Sequence, residues 1–274
     1  MSRDIILESR NLVKEFKGFT AVDDVNLQVE RGTIHALIGP NGAGKTTVFN
    51  LLTKFLTPTR GQLLFNGQDI TKKSSDAIAR MGIVRSFQIS AVFAHLTVLE
   101  NVRVALQRKR NDSLFFWRSE KCLDELNDRA VELLESVGLA PFANARAVDL
   151  PYGRKRSLEI ATTLALDPEL LLLDEPTQGM GHEDVGVVAE LIKKVGQDRT
   201  ILMVEHNLNV VADLSDRITV LQRGAVLTEG DYAEVSADPR VREAYMGVEA
   251  DEQPTKLHAV DKTDTDSDTM EASA

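Results

Sequence analysis

Nine consecutive residues, Gly39, Pro40, Asn41, Gly42, Ala43, Gly44, Lys45, Thr46 and Thr47, hold the densest chemistry in this sequence. Glycines at the first, fourth and sixth places let main-chain N–H groups turn inward around a polyphosphate. A helix that starts at such a loop aims its positive end at the same anion. Lys45 adds a mobile cation for the terminal phosphates, and the Thr46 hydroxyl can ligate a Mg²⁺ ion that bridges them. The loop follows the apolar run IHALI (34–38) and precedes VFNLLTKF, which is the strand, loop and helix order that phosphate binding requires. Two more reactive groups, Asp174 and Glu175, stand at the end of the run LLLLD (170–174). At the carboxyl end of a strand in an open α/β sheet, where ligands bind, Asp174 is the Mg²⁺-side carboxylate and Glu175 is placed to polarise an attacking water as general base.

These groups need a scaffold. The runs IHALI, LLFN (63–66), LLLLD and ILMVE (201–205) are short and several are apolar throughout, as strands buried in a largely parallel sheet are. They alternate with longer helical patterns, so an α/β layered core is expected. From about Thr97 to Gly138 the pattern is helix only, opening with a capping box at Thr97 and Glu100 and closing at a glycine stop. This predicts an inserted helical subdomain. Within it, QRKRNDSLFFWRSE (107–120) mixes basic residues with Phe115, Phe116 and Trp117; covered core packing and a partner-contact surface are both open readings for these aromatics.

Composition excludes several classes. Of the 274 residues, 43% are hydrophobic and 27% charged, the balance of a folded globular domain. No run approaches the roughly 18 apolar residues needed to cross a bilayer, and the start MSRDIILESR lacks the basic and apolar regions of a secretory signal. A lone cysteine, Cys122, has neither a disulfide partner in the chain nor metal-ligand company. The net charge of −10 argues against a nucleic-acid partner, whose phosphates need clustered Lys and Arg. Six of those negative charges are net within 249–274. That segment belongs to a polar stretch from about Val248 onward whose composition predicts disorder.

The narrowing feature is DLPYGRKRSLEIA (149–161), immediately before the run that leads into LLLLD. Together with the phosphate loop and the paired acids it resembles the nucleotide-binding subunits of ABC transporters, over about residues 5–247. The resemblance implies a P-loop NTPase core of the ABC ATPase type, with an antiparallel β subdomain and an inserted α-helical subdomain at about 89–165. It makes residues 1–247 the nucleotide-binding domain and leaves 248–274 as an acidic tail. ATP and Mg²⁺ are the implied ligands. Leu150, Pro151, Tyr152 and Gly153 match the signature motif, which in the family closes over ATP held by a second ATPase subunit in a head-to-tail homo- or heterodimer. Where the family commonly has Leu-Ser-Gly-Gly-Gln, this chain has Pro151 at the Ser, Tyr152 at the first Gly and Arg154 at the Gln. Gln88 in VRSFQ matches the glutamine that touches Mg²⁺ or water. Phe16 matches the aromatic that stacks on adenine, with Phe19 close enough to compete. His206 matches the switch histidine at the γ-phosphate, and TQGMGHED (177–184) matches the D-loop region, with Gly181 where Asp is usual.

Within the family, GPNGAGKTT, VRSFQ, the LPYG signature with LEIA, EHN and the closing DPRVREAYMG are most similar to the ATPase subunits of branched-chain amino acid importers. That likeness implies two membrane permease subunits, a second ATPase subunit and, indirectly, an extracytoplasmic solute-binding protein. It also implies a peripheral location on the cytoplasmic face of the inner membrane. Importers for urea and short amides share much of the pattern, lipid or polysaccharide exporters share every nucleotide motif, and a soluble ABC ATPase is the remaining alternative.

Overall fold

The computed structural model describes residues 4–86, 92–108 and 125–246. Strands β1 (Ile5–Phe16) and β2 (Phe19–Glu30) form a long hairpin. Its turn, Lys17 and Gly18, has positive φ at both residues, the geometry that matches strand twist in two-residue hairpins. With β4 (Arg60–Phe65) and β5 (Gln68–Asp69) they make an antiparallel sheet in the order β2-β1-β4-β5. LLFN therefore lies mostly in this sheet, not in the parallel one, and its alternating burial is that of a strand covered on one face.

The second sheet holds β3 (Ile34–Ile38), β6 (Ile83–Ser86), β7 (Leu170–Asp174), β8 (Thr200–Val204), β9 (Arg217–Gln222) and β10 (Ala225–Gly230). Its order is β10-β9-β3-β8-β7-β6, parallel throughout except for β10. The period of two sorts each apolar strand between two cores. Leu171, Leu173, Ile201 and Met203 join one core, while Leu170, Leu172, Leu202 and Val204 join the other. Being buried on both faces is why these strands read as continuous apolar runs.

One core lies against the helical elements. It takes in α3 (Val98–Gln107), α4 (Asn127–Ser136), α5 (Tyr152–Leu164), α6 (His182–Gly196) and α7 (Leu208–Leu214). The Thr97 capping box forms as expected, with Glu100 N–H donating to Thr97 Oγ1 at 3.2 Å and Thr97 N–H to Glu100 Oε2 at 2.7 Å. Helix α4 stops in a paired turn: Gly138, at φ +72°, donates to Glu135 O at 3.1 Å and Leu139 to Leu134 O at 2.7 Å. These bonds satisfy carbonyls that the helix end leaves open. The other core joins the antiparallel sheet, through Leu27, Leu63 and Phe65, to α1 (Lys45–Leu52) and α2 (Ser75–Arg80). Helices α8 (Tyr232–Ala237) and α9 (Pro239–Met246) close the described chain, with no helix among the described residues long and apolar enough to cross a membrane. Phe115, Phe116, Trp117, Cys122, Gln88 and residues 247–274 lie outside the described residues.

Candidate active site

The carboxyl end of β3 runs directly into Gly39, and α1 begins six residues later at Lys45. Two glycines are demanded by close approach. At Gly39 a Cβ would run into the Leu221 carbonyl at the end of β9, and at Gly44, with φ +101°, it would lie 2.7 Å from the Ala21 carbonyl oxygen of β2. The β9–β10 turn holds the loop, Gly224 N–H donating to Ala43 O at 2.9 Å, and β2 braces that turn, Asp23 N–H donating to Gly224 O at 2.8 Å.

Lys45 is only 6% exposed. Its ammonium donates to Gly39 O at 2.7 Å and to Pro40 O at 3.1 Å. An ammonium has three donors, which leaves one for a phosphate oxygen. Burial pushes the Lys45 pKa down, and the negative charge of Glu175 works against that. Residues 41–47, Phe19, Ala21, Glu175 and His206 line one cleft. Of the two candidate aromatics, which face each other across the β1–β2 hairpin, Phe19 lines this cleft and Phe16 does not; Phe16 instead lies beneath Lys14 Nζ at 5.0 Å.

At the carboxylate side, Glu175 follows β7 at φ +45°, an uncommon backbone for a residue with a Cβ. Its N–H donates to Val204 O at 2.9 Å. The side chain meets His206 Nε2 at 2.5 Å from Oε1, and since a carboxylate only accepts, Nε2 carries the hydrogen. Buried Glu205 serves four donors: Thr177 N–H and Oγ1 through Oε2, and the N–H groups of His206 and Asn207 through Oε1. It thereby fixes the turn after Glu175 and the loop that carries His206. Asp174 sits behind them, with Oδ2 paired to Arg85 and its main-chain oxygen accepting from Arg156 Nη2 at 3.1 Å.

Thr46 is exposed at the start of α1. Its hydroxyl and an Asp174 oxygen are hard donors of the kind Mg²⁺ takes. Among the described residues no group of three or more His, Cys, Asp or Glu could hold a metal alone. A Mg²⁺ ion bound through one or two protein oxygens plus substrate phosphates needs no such cage, so this donor set fits it.

The signature residues are elsewhere. Leu150 is buried, Pro151 occupies the extended cap position before α5, not its first turn, and Tyr152 and Gly153 open the helix. Tyr152 Oη donates to Gln178 O at 3.1 Å, and a Cβ on Gly153 would lie 2.6 Å from Asp184 Oδ1. None of the four lines the phosphate cleft of its own chain.

Arg85, Asn50, Arg156, Glu159 and Glu205 carry structural weight at the site that sequence reasoning did not assign. Glu205 had a usable signal, since it follows the apolar run ILMV just as Asp174 ends LLLLD. The others had none: Arg156 and Glu159 are a local pair, but what ties them and Arg85 to the site, through Asn50, Ser86 and Asp174, is distant in sequence.

The chain is similar to known proteins over most of its length. The ABC transporter family pattern matches residues 22–178, and the pattern described as branched-chain amino acid ATP-binding cassette transporter matches residues 225–251. The chain is 40% identical over 257 residues to BraF of Pseudomonas aeruginosa, a high-affinity branched-chain amino acid transport ATP-binding protein, covering 90% of this chain and 99% of BraF. Among solved structures it is similar to the ADP conformation of MJ1267, an ATP-binding cassette of an ABC transporter. The TM-score is 0.76 and the identity 30%, over 89% of this chain and 99% of that one. The dimeric post-hydrolysis structure of the cassette MJ0796 with ADP and Pi is also similar, at TM-score 0.68 and 28% identity, over 82% and 98% of the two chains.

Proposed function

The chain belongs to the ABC transporter family as an ATP-binding, ATP-hydrolysing subunit, and from that premise we propose that it energises an importer for branched-chain amino acids. The observation that carries the catalytic part of this reading is the single cleft in which residues 41–47 face Glu175 and His206. Main-chain N–H groups of the loop and the Lys45 ammonium bind the phosphates of ATP. Thr46 and Asp174 would hold Mg²⁺, with Gln88 as a further contact, and the ion when bound would neutralise charge on the phosphates. Glu175 takes the proton of the attacking water, and His206, bonded to it through Nε2, fixes its orientation; His206 also lines the cleft in which the γ-phosphate would lie. Phe19 is better placed than Phe16 to stack on the base.

The four signature residues lie outside their own chain's cleft, which supports action in trans. The N-terminal end of α5, at Tyr152 and Gly153, caps the γ-phosphate held by a second ATPase subunit, and MJ0796 has a dimeric form with ADP and Pi. Residues 1–247 act as the nucleotide-binding domain, 248–274 as an acidic tail, and the helical subdomain at about 89–165 carries closure to two permease subunits at the cytoplasmic face of the membrane. An extracytoplasmic binding protein delivers the solute. The 40% identity to BraF over nearly its whole length supports the choice of solute.

Purification with the native membrane complex tests this reading. Two co-purifying permease subunits, a second ATPase subunit and ATP turnover stimulated by leucine with its binding protein are expected. Recovery without membrane partners, or stimulation by urea and not by leucine, contradicts it.

A further inference from the structure

Behind the cleft, buried charged groups join elements that the cleft-lining residues do not themselves connect. Arg85 on β6 is the hub: Nη1 donates to Asn50 Oδ1 on α1 at 2.7 Å, and Nη2 donates to Asp174 Oδ2 at the end of β7. The paired side chains are 12% and 16% exposed, and the Phe49 ring lies 5.8 Å from the guanidinium carbon. Arg156 grips the same strand end from α5. Its Nη2 reaches the Asp174 carbonyl, while Nη1 donates to Glu159 Oε2 at 2.6 Å; Glu159 in turn accepts from Ser86 Oγ, next to Arg85, at 2.9 Å.

A guanidinium is a rigid planar fork, whereas an ammonium is a compact point charge on a flexible stem. One fork that holds both Asn50 and Asp174 fixes the span between them. Asn50 is part of the same short helix as Thr46, so that span sets the separation of the two oxygen donors assigned to Mg²⁺. A lysine at this place would keep the charge and lose the span. The two effects differ in their consequence: a charge acting alone would weaken Mg²⁺ binding by repulsion, but a fork that pre-sets the donors would strengthen it.

We propose that Arg85 is a positioning residue of the nucleotide site, which by tying Asn50 of the phosphate-loop helix to Asp174 sets the Thr46–Asp174 spacing and with it the gain in nucleotide affinity that Mg²⁺ provides. The inference rests on the reading of Asp174 as the Mg²⁺-side carboxylate.

Binding of a fluorescent ATP analogue to the full chain, measured in EDTA and again in excess Mg²⁺, tests it. Arg85→Lys leaves the affinity in EDTA within about twofold and cuts the Mg²⁺-dependent gain roughly tenfold, the lower end of what loss of a group supporting a metal ligand costs. Asn50→Ala acts in the same direction with a smaller effect, and the double variant is no worse than Arg85→Lys alone. Thermal unfolding identifies a variant that fails to fold; should Arg85→Lys do so, Asn50→Ala carries the test. If Asp174→Asn loses the Mg²⁺ gain while Arg85→Lys and Asn50→Ala keep it, or if Arg85→Lys increases it, the inference falls and the reading of Asp174 stands. If Asp174→Asn keeps the gain, that reading falls as well.

Discussion

The two walls of the cleft are built from different materials. The phosphate wall, Gly39 to Thr47, is a glycine-rich loop whose close neighbours are main chain: the carbonyls of Ala21 and Leu221 and the N–H of Gly224. The opposite wall is side chain, Glu175 on His206, backed by Glu205 on Thr177 and Asp174 on Arg85. A main-chain wall places donors with no rotamer to fix, but it tolerates no Cβ where strands pass close. A side-chain wall can move a proton, and it depends on distant partners for its geometry. Holding phosphate and activating water are therefore separable by mutation.

The largest separation comes from Glu175→Gln. Turnover falls by about 10²–10⁴-fold, the usual contribution of a general base, while equilibrium ATP binding stays near wild type; steady-state ATPase and fluorescent-nucleotide titration measure the two. Equal losses in both would merge the walls. Gly44→Ala attacks the other wall. Strain at φ +101° together with the Ala21 carbonyl costs about 1–3 kcal/mol of stability, read from denaturant unfolding, and nucleotide binding is lost along with turnover.

A group outside both walls provides a control. His35 is fully buried on β3, with Nε2 bonded to Thr219 Oγ1 at 2.8 Å, and burial pushes its pKa down from 6.5 to about 4. The unfolded chain therefore binds the extra proton between those values, and stability falls as pH drops through 6.5 toward 4. By linkage the loss is about 2 kcal/mol at pH 5 relative to pH 8. His35→Gln should flatten that slope, in thermal or denaturant unfolding followed against pH, without shifting nucleotide affinity at pH 8. The smallest effect belongs to the helical insert, where Thr97→Ala removes a cap worth about 1 kcal/mol and leaves both nucleotide affinity and isolated turnover unchanged.

Legibility in the sequence follows the same division. The phosphate wall was readable because glycine spacing and a single strand-to-helix step specify it locally, and β3, β7 and the capping box at Thr97 lie where local pattern puts them. Asp174 and Glu175 were readable as a strand end. What holds them was not: Asn50, Arg85 and the Arg156–Glu159 pair lie far apart in sequence, and an arginine in VRSF reads as an ordinary strand residue until β6 is known to lie beside β7. The same limit applied to Phe16 and Phe19, three residues apart and paired across the hairpin, of which Phe19 lines the cleft.

The most direct test is ATP-driven leucine uptake into vesicles that carry the whole transporter, comparing wild type with Glu175→Gln. The account predicts uptake with wild type and none with the variant, which still binds ATP. Uptake that persists with Glu175→Gln, or ATP turnover by wild type that neither moves leucine nor responds to it, would contradict the account.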